Sequence, residues 1–228
     1  MKEARSTSVA PCAEGGMRVR DRIFRTAREL FYRQGIRAVG VDAIACGAGT
    51  NKMSFYRSFA SKDELVAECL RAQVTEYWER WDASVAPHAG DPRRQIEAVF
   101  ESSMSKSCGE DACGCPLSNA AVELREDTHP GHEVIRSYKS EVRRRLRQLA
   151  REAGASDAEA LGDALMLLLE GSAMTRLTFA GRGGPIVNSL SAVKTLLDAY
   201  LPAKRKAASV AAKKNRPARS AKAAEAVR

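Results

Sequence analysis

The stretch that decides the fold is residues 41–59, which read VDAIACGAGTNKMSFYRSF. Apolar residues within Val41–Ala48 recur at the spacing of one helix face, and Gly49 then supplies a turn. Asn51 suits the N-cap of a second short helix, because its side-chain oxygen can accept a hydrogen bond from the first turn. Helix, glycine turn and helix together predict a helix-turn-helix.

The second helix of such a pair can lie in the major groove of DNA, where base edges carry a distinct donor and acceptor pattern. Phe55 and Phe59, four residues apart, are expected to anchor it to the core. The side chains then available to DNA are Lys52, Ser54, Arg57 and Ser58, with Tyr56 positioned to reach a phosphate. The plainer alternative is a small helical bundle with no DNA-binding role.

Helical patterns continue on both sides of this stretch. One helix begins near Arg18 and stops at Gly35, and Ser61 with Glu64 forms a capping box for a long fourth helix. Ser156 and Glu159 form a second such box for a helix that reaches about Ala180. The last helix is expected from about Ile186 to Leu201. The patterns predict an all-α chain of about nine helices with no convincing strand.

These motifs resemble a known family. Their order is Ala27-Arg28-Glu29-Leu30-Phe31, Gly35, Val41-Asp42-Ala43-Ile44-Ala45, Ser54-Phe55-Tyr56-Arg57-Ser58-Phe59 and Ser61-Lys62-Asp63-Glu64-Leu65. Over roughly residues 18–70 the chain resembles the TetR/AcrR family of transcriptional regulators. The resemblance implies a homodimer that places one helix of each subunit in the major groove of a near-palindromic operator on double-stranded DNA. It also implies a small effector, bound in the C-terminal domain, that changes the spacing of the two reading helices.

The resemblance also assigns roles to individual residues. Lys52, Ser54, Arg57 and Ser58 match positions where the family often contacts bases, and Tyr56 and Lys62 match positions where it often contacts phosphates. With the last helix, the apolar helix around Ala164–Leu169 resembles the family's dimer interface. Glu170 and Arg176 could orient a ligand there, although pairing with other groups or reaching solvent is the plainer interpretation.

Charge follows the same organisation. The 228-residue chain has a net charge of +9, with +7 in residues 17–62, −6 in residues 63–202 and +8 in residues 203–228. Basic segments flanking an acidic body indicate a polyanionic partner. The longest apolar run has six residues, far short of the ~20 that a membrane helix needs, and no apolar stretch follows Lys2 and Arg5. We therefore expect a cytoplasmic protein with no membrane partner.

Four segments follow from these patterns. Residues 1–17 are expected to be a flexible arm, and residues 18–62 the helix-turn-helix DNA-binding domain. Residues 63–202 are expected to form the effector-binding and dimerisation domain, and residues 203–228 a disordered basic tail.

Three cysteines fall within eight residues and suggest a thiol sensor. Pro116 suits the first position of a helix, so Cys115 is its N-cap, where the helix dipole favours a thiolate. Cys108 or Cys113 would be the resolving partner, and an electrophile would then be a possible effector. The alternatives are that these cysteines are structural, or that the loop belongs to a thiol-redox enzyme or carrier.

No catalytic residue, cofactor or metal site is assigned. The motif spacing assembles no nucleophile, base and orienting group, so the chain is not expected to be an enzyme. His129 and His132 are interpreted as turn residues, because the cysteine spacing matches no recognised zinc site. A non-specific architectural DNA-binding protein that uses the basic tail remains the other alternative.

Overall fold

The computed structural model describes residues 16–105, 114–179 and 184–202, which form nine α-helices and no strand. The helices are α1 (Val19–Gln34), α2 (Val41–Gly47), α3 (Lys52–Ser58), α4 (Lys62–Val85), α5 (Pro92–Ser105), α6 (Pro116–Glu123), α7 (Pro130–Glu152), α8 (Ala158–Phe179) and α9 (Ser189–Tyr200). Short 3-10 turns lie at Ala86–His88 and Pro185–Asn188. The all-α prediction is confirmed for this part of the chain, whereas residues 1–15 of the predicted arm and the predicted tail lie outside it.

Helices α3 and α4 begin with the side-chain caps that the sequence predicts. The Asn51 side chain accepts a hydrogen bond from the backbone N–H of Ser54 at 2.9 Å, and Ser61 Oγ accepts one from the backbone N–H of Glu64 at 3.1 Å. Each bond satisfies one of the donors that a helix leaves unpaired at its first turn. These caps fix the beginnings of α3 and α4.

The cap predicted at Ser156 is wrong. Asp157 caps α8 instead, because its Oδ1 accepts the backbone N–H groups of Glu159 at 3.1 Å and Ala160 at 2.9 Å. The backbone N–H of Ser156 donates to the carbonyl of Tyr200 at 2.9 Å. Ser156 therefore belongs to the connection that ties the start of α8 to the end of α9.

The ends of the last two helices also differ from the expectation. The final α-helix begins at Ser189 rather than near Ile186, because Pro185–Asn188 form a 3-10 turn that precedes it. Helix α8 is described as far as Phe179, so its predicted end at Ala180 lies outside the described residues.

The first three helices pack around a small apolar centre. Ile23 of α1, Ile44 of α2 and Phe55 of α3 are fully buried there. Leu65 and Val66, in the first turns of α4, belong to the same continuous core. Helix α4 therefore joins the first three helices to the rest of the molecule through one core.

The remaining helices form a second bundle. Helix α7 packs along α8, α4 lies against α5 and α7, and α9 lies against α5 and α8. Helices α7 and α8 lie close together at Gly162, where an added Cβ would lie 2.7 Å from the Cα of Arg147. Within the described residues, none of the helices has the combination of length and apolar character that a membrane crossing requires.

Candidate nucleic-acid interface and ligand cavity

The turn between α2 and α3 is closed by a hydrogen-bond pattern that requires glycine. The backbone N–H of Thr50 donates to the carbonyl of Ala45 at 2.9 Å, and that of Gly49 donates to Cys46 at 3.0 Å. Gly49 has a φ of +61°, which a residue with a Cβ adopts rarely. The turn fixes the angle between α2 and α3, and the helix-turn-helix predicted over Val41–Phe59 is present.

Helix α3 has one buried face and one exposed face. Phe55 is fully buried and Phe59 is 5% exposed, with their ring centroids 5.9 Å apart. On the opposite face Met53 is 71% exposed and Tyr56 51% exposed. The helix is therefore held by its aromatic side while its other side is open to a partner.

The predicted DNA-binding residues divide by exposure. Lys52, Tyr56 and Arg57 are exposed, whereas Ser54 and Ser58 are half-buried. Ser58 Oγ donates to the carbonyl of Ser54 at 2.9 Å, so its hydroxyl has acceptor capacity left for a partner. The three long side chains can reach beyond the surface, and the two serines lie closer to the helix axis.

The cations on this face are held weakly. Lys52 Nζ lies 3.4 Å from Asp42 Oδ2, and both side chains are more than half exposed. Exposed ion pairs contribute only about 0–1 kcal/mol, so Lys52 can exchange Asp42 for a nucleic-acid acceptor. Arg57 makes no ion pair within the described part of the chain. Both charges are available to DNA at little cost.

Lys62 has a different environment from the residues on α3. It is half-buried at the first position of α4. Burial lowers the pKa of its ammonium group, and the nearby carboxylates of Asp63 and Glu123 partly oppose that change. Its predicted phosphate contact would therefore form at the edge of the interface.

Two residues that support the interface were missed by the sequence reasoning. Arg22 Nε donates to the carbonyl of Ala48 at 3.0 Å, which ties α1 to the turn between α2 and α3. Glu123, the last residue of α6, accepts a hydrogen bond from the backbone N–H of Arg37 at 2.9 Å. These partners lie 26 and 86 residues apart in the chain, so no local pattern signals them.

The contact at Glu123 joins α6 to the connection between α1 and α2. Gly35 begins that connection with a φ of +88°, and an added Cβ there would lie 3.0 Å from a Glu123 carboxylate oxygen.

Beside this contact, residues of α1, α4 and α6 line a small cavity of about 40 Å³. Cys69 borders this cavity, and burial raises the pKa of its thiol to about 12. Burial therefore favours the protonated form of this thiol.

A larger cavity of about 440 Å³ lies within the second bundle. Its aromatic lining comes from Tyr32, Tyr77, Trp81 and Tyr138, and its remaining lining includes Arg80, Cys115, Glu170 and Arg176. The rings of Tyr77 and Tyr138 meet edge to face with centroids 4.9 Å apart, and burial raises the pKa of both phenols. Such a volume, largely walled by side chains, suits a small organic ligand.

The two charged residues that the sequence analysis singled out on α8 both line this cavity. Glu170 forms an ion pair with Lys139 and accepts a hydrogen bond from Ser118 Oγ at 2.9 Å. Arg176 Nη2 donates to the carbonyl of Ser103 at 2.7 Å. Both residues are therefore paired with other groups, as expected, and both also border the cavity.

Cys115 is the N-cap residue of α6, as predicted, and it is half-buried in the cavity lining. Its proposed partners Cys108 and Cys113 lie outside the described residues. Cys46, on α2, is exposed.

The remaining polar motifs have structural partners. His129 caps α7, since its Nδ1 accepts the backbone N–H of Gly131 at 2.9 Å, so the turn interpretation is correct for this residue. It is wrong for His132, which lies in the first turn of α7. The basic run at Arg143–Arg145 is engaged with Asp163, Glu141 and Asp82. In the described ranges no group of three His, Cys, Asp or Glu side chains is arranged to hold a metal ion.

Comparison with known proteins agrees with this geometry. The family model "Bacterial regulatory proteins, tetR family" matches residues 23–69, which include α2 and α3. A crystal structure of a TetR-type transcriptional regulator from Streptomyces avermitilis is 34% identical, covers 81% of this chain and 98% of its own, and superimposes with a TM-score of 0.65. The chain belongs to the TetR family, and it is a DNA-binding transcriptional regulator.

Two named relatives have the same role. The transcriptional regulator LmrA of Bacillus subtilis is 29% identical over 185 residues, which is 78% of this chain and 96% of LmrA. The transcriptional repressor KstR2 of Mycobacterium tuberculosis is 32% identical over 84 residues, or 37% of this chain and 42% of KstR2. Both relatives are transcriptional regulators, a class of proteins that are not enzymes.

Proposed function

We propose that the chain is a homodimeric repressor that leaves a near-palindromic operator when its C-terminal cavity is occupied or modified. The observation that chiefly supports DNA reading is α3 itself, anchored by buried Phe55 and Phe59 with its polar face exposed. In this proposal Lys52, Ser54, Arg57 and Ser58 contact bases, and Tyr56 and Lys62 contact phosphates.

The dimer would form through α8 and α9. Large apolar side chains are exposed on α8 and just before α9, with Leu167 74%, Met174 40%, Leu177 46% and Val187 62% exposed. Several large apolar side chains exposed on neighbouring elements are costly in water and favour a contact with another protein surface. Isologous pairing of the same helices in two copies would cover it and give the two-fold symmetry of a palindromic operator.

Coupling between the cavity and DNA would run through α6. The first turn of this helix borders the cavity at Cys115 and Pro116, and its last residue, Glu123, accepts the backbone N–H of Arg37. Eight helical residues span only about 12 Å, so a displacement at one end moves the other end as a rigid unit. An effector that shifts α6 would therefore shift the connection between α1 and α2.

Thiol modification is a second way to shift the same helix. Cys115 is half-buried in the cavity wall at the start of α6. Alkylation of its sulfur would add bulk between the cavity and the helix, and Cys108 or Cys113 would act as resolving partner under oxidation. Titration of operator binding with an alkylating agent, in the parent and in Cys115→Ser, tests this route. An equal response in the two proteins would exclude it.

The proposal also divides the chain into two domains with a segment before and after them. Residues 18–62 would be the DNA-binding domain and residues 63–202 the effector-binding and dimerisation domain, with an arm before them and a basic tail after them. A cytoplasmic location is proposed because DNA is the partner.

Footprinting on an operator selected from random DNA tests the function. A bounded palindromic footprint is expected, and Arg57→Ala or Lys52→Ala should weaken specific binding by ~1–3 kcal/mol. Arg33→Ala, an exposed arginine on α1, is the matched control and should leave affinity unchanged. Lys62→Ala should weaken all sequences alike. Diffuse protection would instead support an architectural protein, and the absence of protection would refute DNA binding.

A further inference from the structure

The cavity has an aromatic wall along α4 and α7. Tyr77 meets Tyr138 edge to face, and the ring centroid of Trp81 lies 6.1 Å from that of Tyr77. All three rings border the 440 Å³ space. Such an arrangement presents edges and faces to a flat ring system, with which aromatic side chains pack favourably.

The two carboxylates in the lining are already compensated by cations of the same chain. Glu76 Oε1 lies 2.7 Å from Arg28 Nη2, and Glu170 is paired with Lys139. A cationic ligand would have to compete with these internal partners. The acidic residues therefore do not make the cavity a site for a cation.

Arg80 differs from these carboxylates. It lies on α4 one turn after Tyr77, is half-buried and borders the cavity. Within the described residues no carboxylate forms an ion pair with its guanidinium, and no residue accepts a hydrogen bond from it. A half-buried guanidinium that offers five N–H donors without an acceptor is suited to bind an anion.

We propose that the effector is an aromatic organic anion, with its rings against Tyr77, Trp81 and Tyr138 and its carboxylate or sulfonate on Arg80. The inference rests on the proposed role of this cavity as the effector site. Burial beside the aromatic wall strengthens the charge-assisted hydrogen bond, because water competes for it less than at the surface. Arg176, a second arginine in the lining, adds to the positive potential.

Three probes that share one ring system test the charge requirement. Isothermal titration calorimetry of the full-length protein would compare 2-naphthoate, the neutral 2-naphthamide and the cationic 2-naphthylmethylamine. The anion is expected to bind at least about tenfold more tightly than the amide, since a hydrogen bond to a charged group contributes about 1.5–3 kcal/mol. The cation should bind most weakly. Equal or tighter binding of the amide or the cation would overturn the proposal.

Substitutions of Arg80 then test whether this arginine binds the anionic group. Arg80→Gln should weaken 2-naphthoate about tenfold and leave 2-naphthamide within twofold, while Arg80→Lys should keep part of the preference. Arg71→Gln, an exposed arginine on the same helix, is the matched control and should change neither affinity. Circular dichroism would verify that each variant is folded. Equal losses in the Arg80 and Arg71 variants would overturn the assignment of Arg80.

Operator release separates this proposal from the proposed function. Fluorescence anisotropy with labelled operator should report release by 2-naphthoate at concentrations where 2-naphthamide has no effect. Release by the amide alone would overturn the anion preference and keep the cavity as an effector site. Failure of all three probes to bind would also overturn it, while the operator footprint would still decide whether the chain is a regulator.

Discussion

Gly162→Ala tests the packing that holds the cavity walls together. Helix α8 lies close against α7 at Gly162, where an added Cβ would lie 2.7 Å from Arg147 Cα, 2.8 Å from its backbone N and 2.5 Å from its Cγ. Two of these three atoms are backbone, so the contact cannot be relieved by rotating a side chain. The two helices would have to move apart by roughly 1 Å to restore ordinary van der Waals distances.

The magnitude follows from two opposing effects. Overpacking of this kind costs about 1–3 kcal/mol, and the separation would also disturb the ion pair between Arg147 and Asp163, whose atoms lie 2.7 Å apart. Replacing glycine by alanine inside a helix recovers up to about 1 kcal/mol. We expect a net loss of about 1–2 kcal/mol, which for a chain of this length lowers the melting temperature by about 2–8 °C.

Thermal unfolding followed by circular dichroism measures this difference. Gly171→Ala on the same helix is the control for packing within one chain, because an added Cβ there meets no atom of the chain within 4 Å. Gly171 lies one turn after Leu167 on the face proposed for the dimer, so both variants are compared in a Leu167→Glu background, where that face is unpaired. The control should be unchanged or slightly more stable. A Gly162→Ala protein as stable as the parent would refute the close approach of α7 and α8.

Four further predictions address the interface, the dimer, the coupling and the acid response. Deleting residues 203–228, with a net charge of +8, should flatten the salt dependence of non-specific DNA binding and leave the operator footprint in place; a displaced footprint would give the tail a reading role. Leu167→Glu should shift the protein towards monomer in analytical ultracentrifugation, whereas Val122→Glu, a 63% exposed control on α6, should not. Glu123→Ala, which removes the acceptor of the Arg37 backbone N–H, should raise the effector concentration needed for operator release, and an unchanged midpoint would exclude this contact from the coupling. Two arginines lower the pKa of Glu141 to about 2, so its contribution is present above the usual value of 4.5 and is lost as pH falls towards 2; Glu141→Gln should cost at most about 1 kcal/mol at pH 6 and nothing near pH 2 in urea unfolding.

Helix α3 and the turn before it were predictable because the interactions that define them are local. The cap at Asn51 and the turn at Gly49 depend on atoms within about five residues. The burial of Phe55 and Phe59 follows from their spacing on one helix face. Short-range hydrogen bonds and helical periodicity are encoded in neighbouring residues, so this part of the chain can be interpreted without its tertiary contacts.

The cavity and the coupling proposed for it were not predictable in the same way. Arg80 and Glu123 are ordinary charged helix residues in the sequence, and nothing nearby distinguishes them from other solvent-facing residues. The roles proposed for them depend on the residues of other helices that they face. Arg80 shares a cavity with Tyr138 of α7, and Glu123 meets the backbone of Arg37 across 86 residues.

By itself, the sequence determined the helices, the two caps that start α3 and α4, and the face that α3 leaves exposed. Tertiary structure decided which polar groups meet, and Ser156 is the clearest example. Its spacing from Glu159 suits a cap, yet its backbone N–H is engaged with Tyr200, and Asp157 caps α8 instead. A local sequence pattern indicates which hydrogen bonds a residue can form. The packed chain decides which acceptor lies within reach, because that depends on how distant helices bury their apolar faces together.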